Sequence, residues 1–462
     1  MENTELIIVP KVSGGVYGVS CILHTLQDVI DYEEKRRVPE QGYPRFIPHP
    51  FVAKIQQQHK RPGFDAFAVQ NQHAANHVVN HFVSPALAST CQIEAFKRKG
   101  NSYAILHVPV RYAQQLSEDI TNSGIVLNAR KAHRILSQVP VPEPSGLLET
   151  SLSQLEKGSN PAKTWCFNSG MAAIYCTVLS LLKPGKRAVV IGSCYTDSHK
   201  IFRKLSERHA YEQTLFLEHF RNDAFPVDTG LVFLEIPTNP LLQVEDLRQI
   251  VTRAHAVGAE VLVDSTIASP WHYSPFEFGA DWIVHSSTKS LSGKNNHLGG
   301  VLFANPGSPN AEQKIQAEAF AMNPEESSVL EHNLNDFPER IARMAENAAV
   351  VTQFLQNHPQ IARVFSPQGL KNGNGHVVSF RLKNESEQRA TAFYDHCTIT
   401  IKGPSMGFEK SMLMPYALIT RYFDSDSTLE SLGLSRYLMR LSVGAENVKN
   451  TLAHLVDGLN KL

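Results

Sequence analysis

Between residues 164 and 306 short apolar runs alternate with helix-length segments, and this alternation constrains the fold more than any other feature. Arg187-Ala-Val-Val-Ile-Gly192, Leu231-Val-Phe-Leu-Glu235, Val261-Leu-Val-Asp264 and Trp282-Ile-Val-His285 each read as a buried strand. Four or more such strands separated by helices imply right-handed crossovers and a mostly parallel sheet covered on both faces. The expected fold class is α/β. Polar residues close the runs, so chemistry is expected where the strands end.

The last of these runs leads into Ser286-Ser-Thr288-Lys289 and then a loop ending at Gly299-Gly300. A lysine at a strand end can be desolvated, its pKa lowered and its amine turned on a carbonyl, with nearby hydroxyls to hold an anion. The competing reading is a surface lysine in a Ser-rich turn. Asp264 argues against it, because a carboxylate there keeps a pyridinium nitrogen protonated. The combination points to a Schiff base with pyridoxal 5'-phosphate.

Asp264 followed by His285-Ser-Ser-Thr-Lys289 and a Gly-rich segment resembles the Cys/Met-metabolism group of pyridoxal-phosphate enzymes. The resemblance implies a fold-type I transferase, with a large cofactor domain and a smaller C-terminal α/β domain. It assigns roles residue by residue. Gly170 and Met171, opening a helix after Asn168-Ser169, would donate amides to the cofactor phosphate, as helix N-termini do. Ser286 and Thr288 would add hydroxyls. Tyr195 would stack on the ring; its alternative is a rim tyrosine with its hydroxyl in water. In Glu235-Ile-Pro-Thr-Asn239-Pro240, Asn239 would contact the ring oxygen and Glu235 support the site. Ser405, in Lys402-Gly-Pro-Ser405-Met-Gly407, and Arg440, on an otherwise apolar strand, would hold the substrate carboxylate. For Arg440 the alternative is an internal salt bridge. Tyr43-Pro44-Arg45 matches a family motif that crosses to the neighbouring subunit's phosphate; its alternative is a Tyr/Arg pair pinning an irregular arm onto its own subunit. The catalytic set is then Lys289, Tyr195 and Asp264.

The expected domains are an extended arm over 1–60 that reaches a neighbouring subunit, a cofactor domain over 61–308 in which 61–160 is atypical, and a C-terminal domain over 309–462. Helical patterning appears near Phe51 to His59 and Asn71 to Phe82. The second segment spaces His73, His77 and His81 by four, but two turns separate the outer pair and no carboxylate joins them. A solvated or stacked histidine face is expected, and no metal. Ile341, Met344, Ala348, Val351 and Leu355 recur at helical spacing and mark a long linking helix.

With 44 Lys plus Arg against 44 Asp plus Glu, the chain has no electrostatic footprint for nucleic acid or an anionic membrane. Six scattered cysteines show neither metal spacing nor a disulfide framework, which suits a reducing cytoplasm. MENTELIIVP lacks a basic region and a long apolar core, so neither secretion nor membrane insertion is expected.

Gly-Tyr-Pro-Arg-Phe, Ser-Leu-Ser-Gly-Lys-Asn-Asn after Lys289, and Lys-Gly-Pro-Ser-Met-Gly resemble the fungal-type cystathionine γ-synthase branch. The first expectation is γ-replacement on an O-acyl-homoserine with cysteine, in a homodimer or tetramer. A γ- or β-elimination lyase, an enzyme adding a different nucleophile and a non-catalytic binding protein stay open, because the nucleophile's pocket carries no legible motif.

Overall fold

The computed structural model describes residues 15–37, 39, 42–83, 85–143, 146–208, 211–221, 223–307, 315 and 320–462. The N-terminal stretch 1–10 and the expected domain boundary at 308/309 fall outside them.

The strands are β1 (Phe64–Val69), β2 (Gln92–Arg98), β3 (Asn101–Pro109), β4 (Thr164–Phe167), β5 (Arg187–Ile191), β6 (Leu215–Leu217), β7 (Thr229–Glu235), β8 (Glu260–Asp264), β9 (Trp282–His285), β10 (Gly300–Ala304), β11 (Ile361–Phe365), β12 (Val377–Leu382), β13 (Ile401–Lys402), β14 (Met412–Pro415) and β15 (Met439–Ser442). The main sheet has the order β4-β10-β9-β8-β7-β5-β6. Its β5, β6, β7, β8 and β9 run parallel, and β10 is antiparallel to both β9 and β4. The four apolar runs are its central strands, and their fully buried residues explain why they show no alternation. Because β7, β8 and β9 lie side by side in register, Glu235 sits opposite Asp264, and His285 ends the next strand.

Against one face lies the helix Gly170–Leu181, capped by Ser169, whose hydroxyl accepts from the Ala172 amide. It is apolar around most of its circumference and packs with β7, β9 and β10. The helix Leu247–Ala256 covers the other face through Leu247, Ile250, Val251 and Ala254. The architecture is α/β with a mostly parallel sheet, as expected.

The C-terminal sheet has the order β11-β12-β15-β14-β13 and is antiparallel except for β13 with β14. The helix Phe337–Asn357 leads into it and buries Ile341, Met344, Ala348, Val351 and Leu355, the residues whose spacing announced it.

Residues 64–109, placed by the sequence within the cofactor domain, form a separate antiparallel sheet of order β1-β3-β2. Helices Gln72–Phe82 and Val110–Ser123 cover one face; helices Pro50–Gln58 and Ala129–Ser137 cover the other through Val52, Ile55, Ala132 and Ile135. Within the first of these helices His77 and His81 stack at 4.1 Å, with His77 Nε2 2.9 Å from the Tyr175 hydroxyl.

The N-terminal region is less extended than expected. Residues 19–33 fold onto the chain's own C-terminal sheet: Cys21, Leu23, Leu26 and Val29 enter that core, and the helix Leu26–Glu33 starts with a Thr25–Asp28 capping box. All six cysteines are free thiols, and no helix among the described residues is long and apolar enough to cross a membrane.

Candidate functional site

The ends of β7, β8 and β9, the first turn of Gly170–Leu181, the Ser405 loop and β15 surround a cavity of about 820 Å³. Its lining includes Tyr43, Arg45, Gly170, Met171, Tyr195, Glu235, Asn239, Asp264, Ser286, Lys289, Ser405 and Arg440. These are all the site residues named from the sequence except Thr288.

Lys289 follows β9 in a turn where its amide donates to the Ser286 carbonyl. Its Nζ donates to Ser405 Oγ at 2.9 Å and lies 4.6 Å from the centre of the Tyr43 ring. Burial lowers its pKa, with help from Arg440 and Arg45, against the opposing pull of Tyr43. Tyr43 answers in kind. Burial pushes its hydroxyl up, but the Lys289 and Arg45 cations and bonds with Thr288 and Arg45 bring it below the usual value.

Asp264 and Glu235 lie on adjacent strands, and burial raises both. Glu235 is raised further by repulsion from Asp264, while bonds from Thr266 and the nearby His285 oppose the rise at Asp264. The Thr266 amide donates to Asp264 Oδ1 at 2.9 Å, and Glu235 Oε1 accepts the Tyr195 amide at 2.6 Å.

At the other end of the cavity Gly170 approaches Ser286 so closely that a Cβ on Gly170 would stand 2.8 Å from the Ser286 Cβ and 3.0 Å from its Cα. The Gly170 and Met171 amides begin their helix and have no carbonyl a turn earlier to bond. The Thr288 hydroxyl donates to the Gly299 carbonyl at 3.2 Å and accepts the Gly299 amide at 3.0 Å, which closes the glycine loop, and it also bonds Tyr43.

Arg440 is buried by its strand, yet every group it bonds is neutral. Nη1 donates to Asn239 Oδ1 at 2.9 Å, while Nη2 donates to the Ser405 carbonyl at 2.9 Å and contacts Met414 Sδ at 3.0 Å. Burial lowers its pKa, and among the described residues no carboxylate forms an ion pair with it.

Tyr43 and Arg45 line this cavity within the single chain. Arg45 donates to the Thr121 carbonyl at 2.6 Å, to the Tyr195 hydroxyl at 2.9 Å and to Asp197 Oδ2 at 3.0 Å. Tyr195 is pushed well above its usual pKa by burial and by Asp197, against Arg45. Asp197, Thr266 and Tyr416, whose ring lies 5.2 Å from the Arg440 guanidinium, were not singled out from the sequence. Only Asp197 left a trace there, as a carboxylate two residues after Tyr195 where the related pattern has Gly followed by a small residue.

The cavity fits pyridoxal phosphate. A glycine-tight cradle at a helix N-terminus suits the phosphate, a buried carboxylate suits the pyridinium nitrogen, and a desolvated lysine lines the same cavity. Comparison with known proteins agrees. A family model for Cys/Met metabolism PLP-dependent enzymes matches residues 89–460. An L-methionine γ-lyase of Fusobacterium nucleatum subsp. polymorphum is 30% identical over 338 residues, 68% of this chain and 84% of that one. The cystathionine γ-synthase of Escherichia coli K12 is 29% identical over 329 residues, with 68% and 84% covered. Among solved structures, cystathionine γ-synthase of Xanthomonas oryzae pv. oryzae in complex with aminoacrylate and cysteine superposes with a TM-score of 0.62 at 27% identity, covering 68% of this chain and 85% of that one. This chain belongs to the Cys/Met-metabolism enzymes that depend on pyridoxal 5'-phosphate.

Proposed function

We propose that this protein catalyses γ-replacement on an O-acyl-homoserine with cysteine, the reaction type of a cystathionine γ-synthase. The observation that carries an amino-acid substrate is Arg440. A buried guanidinium bonded only to neutral atoms suits an incoming α-carboxylate, and Ser405 joins it to the Lys289 amine. The replacement outcome rests on the segments Gly42 to Phe46, Ser290 to Asn296 and Lys402 to Gly407, which resemble the fungal-type synthase branch. The coenzyme, when bound, supplies an electron sink for charge that develops beside the substrate amine.

The chain's own residues divide the remaining work. Asp264 would pair with the ring nitrogen, and Gly170, Met171 and Ser286 would hold the phosphate. Tyr195 would stack on the ring, with Asn239 and Glu235 supporting the site. Lys289, whose amine gives up its own proton more readily because burial lowers its pKa, takes a proton from substrate Cα and delivers and removes protons at Cβ. Tyr195, its hydroxyl held protonated by burial and Asp197, assists near the leaving group at Cγ as a proton donor or base. Six free thiols suit a reducing cytoplasm.

A second reading, γ- or β-elimination, is favoured by the methionine γ-lyase and cystathionine γ-lyase among the relatives. Incubation with O-acetyl- and O-succinyl-homoserine, with and without cysteine, separates the two. The replacement reading expects a thioether product that displaces ketobutyrate as cysteine rises. Ketobutyrate and ammonia at an undiminished rate under saturating cysteine would establish the lyase instead.

A further inference from the structure

Residues 290–299, which join Lys289 to β10, form neither helix nor strand, so the course of this loop is set by the side chains that hold it. Arg340 Nη1 donates to the Ser290 carbonyl at 3.0 Å and Nη2 to the Leu291 carbonyl at 3.2 Å. Asn333 Nδ2 donates to Ser292 Oγ at 2.9 Å and to Asn296 Oδ1 at 2.8 Å.

The far end of the loop is held differently, by a row of three buried side chains. His297 Nδ1 lies 2.7 Å from Glu326 Oε2, and His297 Nε2 lies 2.9 Å from Ser287 Oγ. Ser287 and His297 are 0% exposed and the Glu326 side chain 2%. Glu326, on the helix Pro324–Leu334, also accepts from Arg130 Nη1 at 3.0 Å and from the Leu298 amide at 3.2 Å. Burial pushes its carboxyl up, but the bond and charge of His297, the charge of Arg130 and the Leu298 amide bring it below its usual value. An ionised carboxylate only accepts, so His297 Nδ1 is the donor and, in the neutral ring, Nε2 accepts the Ser287 hydroxyl. Serine, histidine and carboxylate in this order can make a nucleophile, but Ser287 is sealed in the interior and does not line the cavity. The row can hold a shape and cannot reach a substrate.

That shape concerns both halves of the cofactor cavity. A Cβ on Gly299 would stand 2.5 Å from His297 Nε2 and 2.6 Å from Ser287 Oγ, in the path of their bond. Thr288 ties the same glycine from the other side, and Lys289 follows it. A Cβ on Gly300 would stand 2.7 Å from the Gly170 Cα, so the loop's last glycine packs directly on the helix turn that lines the cavity. The Ser287 and His297 bond therefore closes the loop between the lysine and that turn.

We propose that Ser287, His297 and Glu326 are positioning residues that fix Lys289 and the Gly170 turn relative to each other, so that one cofactor molecule meets both. This rests on Lys289 as the cofactor's lysine and holds whether replacement or elimination follows.

Ser287→Ala removes one hydroxyl, and His297→Asn keeps an amide toward Glu326 while losing the reach to Ser287, so each deletes the same bond. In cofactor-free protein titrated with pyridoxal phosphate, each should weaken binding about five- to tenfold, and the double variant should be no worse than the weaker single one. Gly299→Ala, which drives a methyl into the bond, should reproduce the loss, and it replaces His297→Asn in the comparison if that variant does not fold. A row that only stiffens the fold would lower the denaturation midpoint of the apoprotein and leave the dissociation constant of the folded protein at its wild-type value. That result in Ser287→Ala would overturn the proposal, as would additive losses in the double variant. Borohydride labelling of the wild type separates two failures: a label on Lys289 with unchanged affinity in the variants overturns the positioning row alone, whereas a label on another lysine overturns the lysine assignment with it.

Discussion

Arg440 shows how a site can be recognised by what a buried charge lacks. A guanidinium on an apolar strand normally finds a carboxylate, and here it finds Asn239, a backbone carbonyl and a thioether. Arg440→Ala should therefore lower kcat/KM for amino-acid substrates by about 10- to 100-fold, the range of a charge-assisted hydrogen bond or two, while the cofactor absorbance persists. Steady-state kinetics beside a visible spectrum checks this; a colourless variant would place Arg440 in cofactor binding. Lys289, Asp264 and Arg440 were legible because their polarity breaks an apolar run, a signal that survives without any knowledge of packing. The bonds by which Thr288 ties the Gly299 loop were not legible, because adjacent hydroxyls look alike in sequence. Thr266 and Tyr416 gave no such break; both are ordinary residues that tertiary contact alone brings to the cavity.

Among elements, the helix Gly170–Leu181 matters most, because its first turn approaches Ser286 as closely as a shared anion site would require. That approach is possible only without a side chain at Gly170, since the obstructing atoms include the Ser286 Cα, which cannot rotate away. Gly170→Ala should cost about 1–3 kcal/mol of stability through overpacking and weaken pyridoxal phosphate binding by about tenfold. Denaturant melts of the apoprotein and a cofactor titration check both; unchanged affinity would mean that the phosphate lies elsewhere. The element missed in the sequence is the three-stranded sheet. Its first strand, Phe64–Val69, is only partly buried along most of its length, so hydrophobicity never rises into a distinct run. The available signal was the Lys99-Gly100 pair between Gln92–Arg98 and Asn101–Pro109. Both residues take positive φ, 46° and 79°, in a two-residue hairpin turn. Lysine at such a position is uncommon, which is why the turn did not stand out.

At the scale of the molecule, three sheets serve one cavity. The parallel sheet brings Glu235, Asp264 and Lys289 to its strand ends, the C-terminal sheet delivers Arg440, and the arm between that sheet and the additional one supplies Tyr43 and Arg45. The alternating runs were enough to recover the first, and the long helix pointed to the second. The contact of Arg45 with Asp197 was not legible, because it joins residues 152 positions apart. The family model begins at residue 89, so β1 and both motif residues of the arm precede it, although β1 pairs with β3 inside it. The claim on which every role depends is that Lys289 carries the coenzyme. Borohydride reduction of the cofactor-loaded protein, followed by peptide mapping, tests it directly. The pyridoxyl label is predicted on the peptide containing Lys289 and on no other; a label on a different lysine, or none at all, would contradict the account.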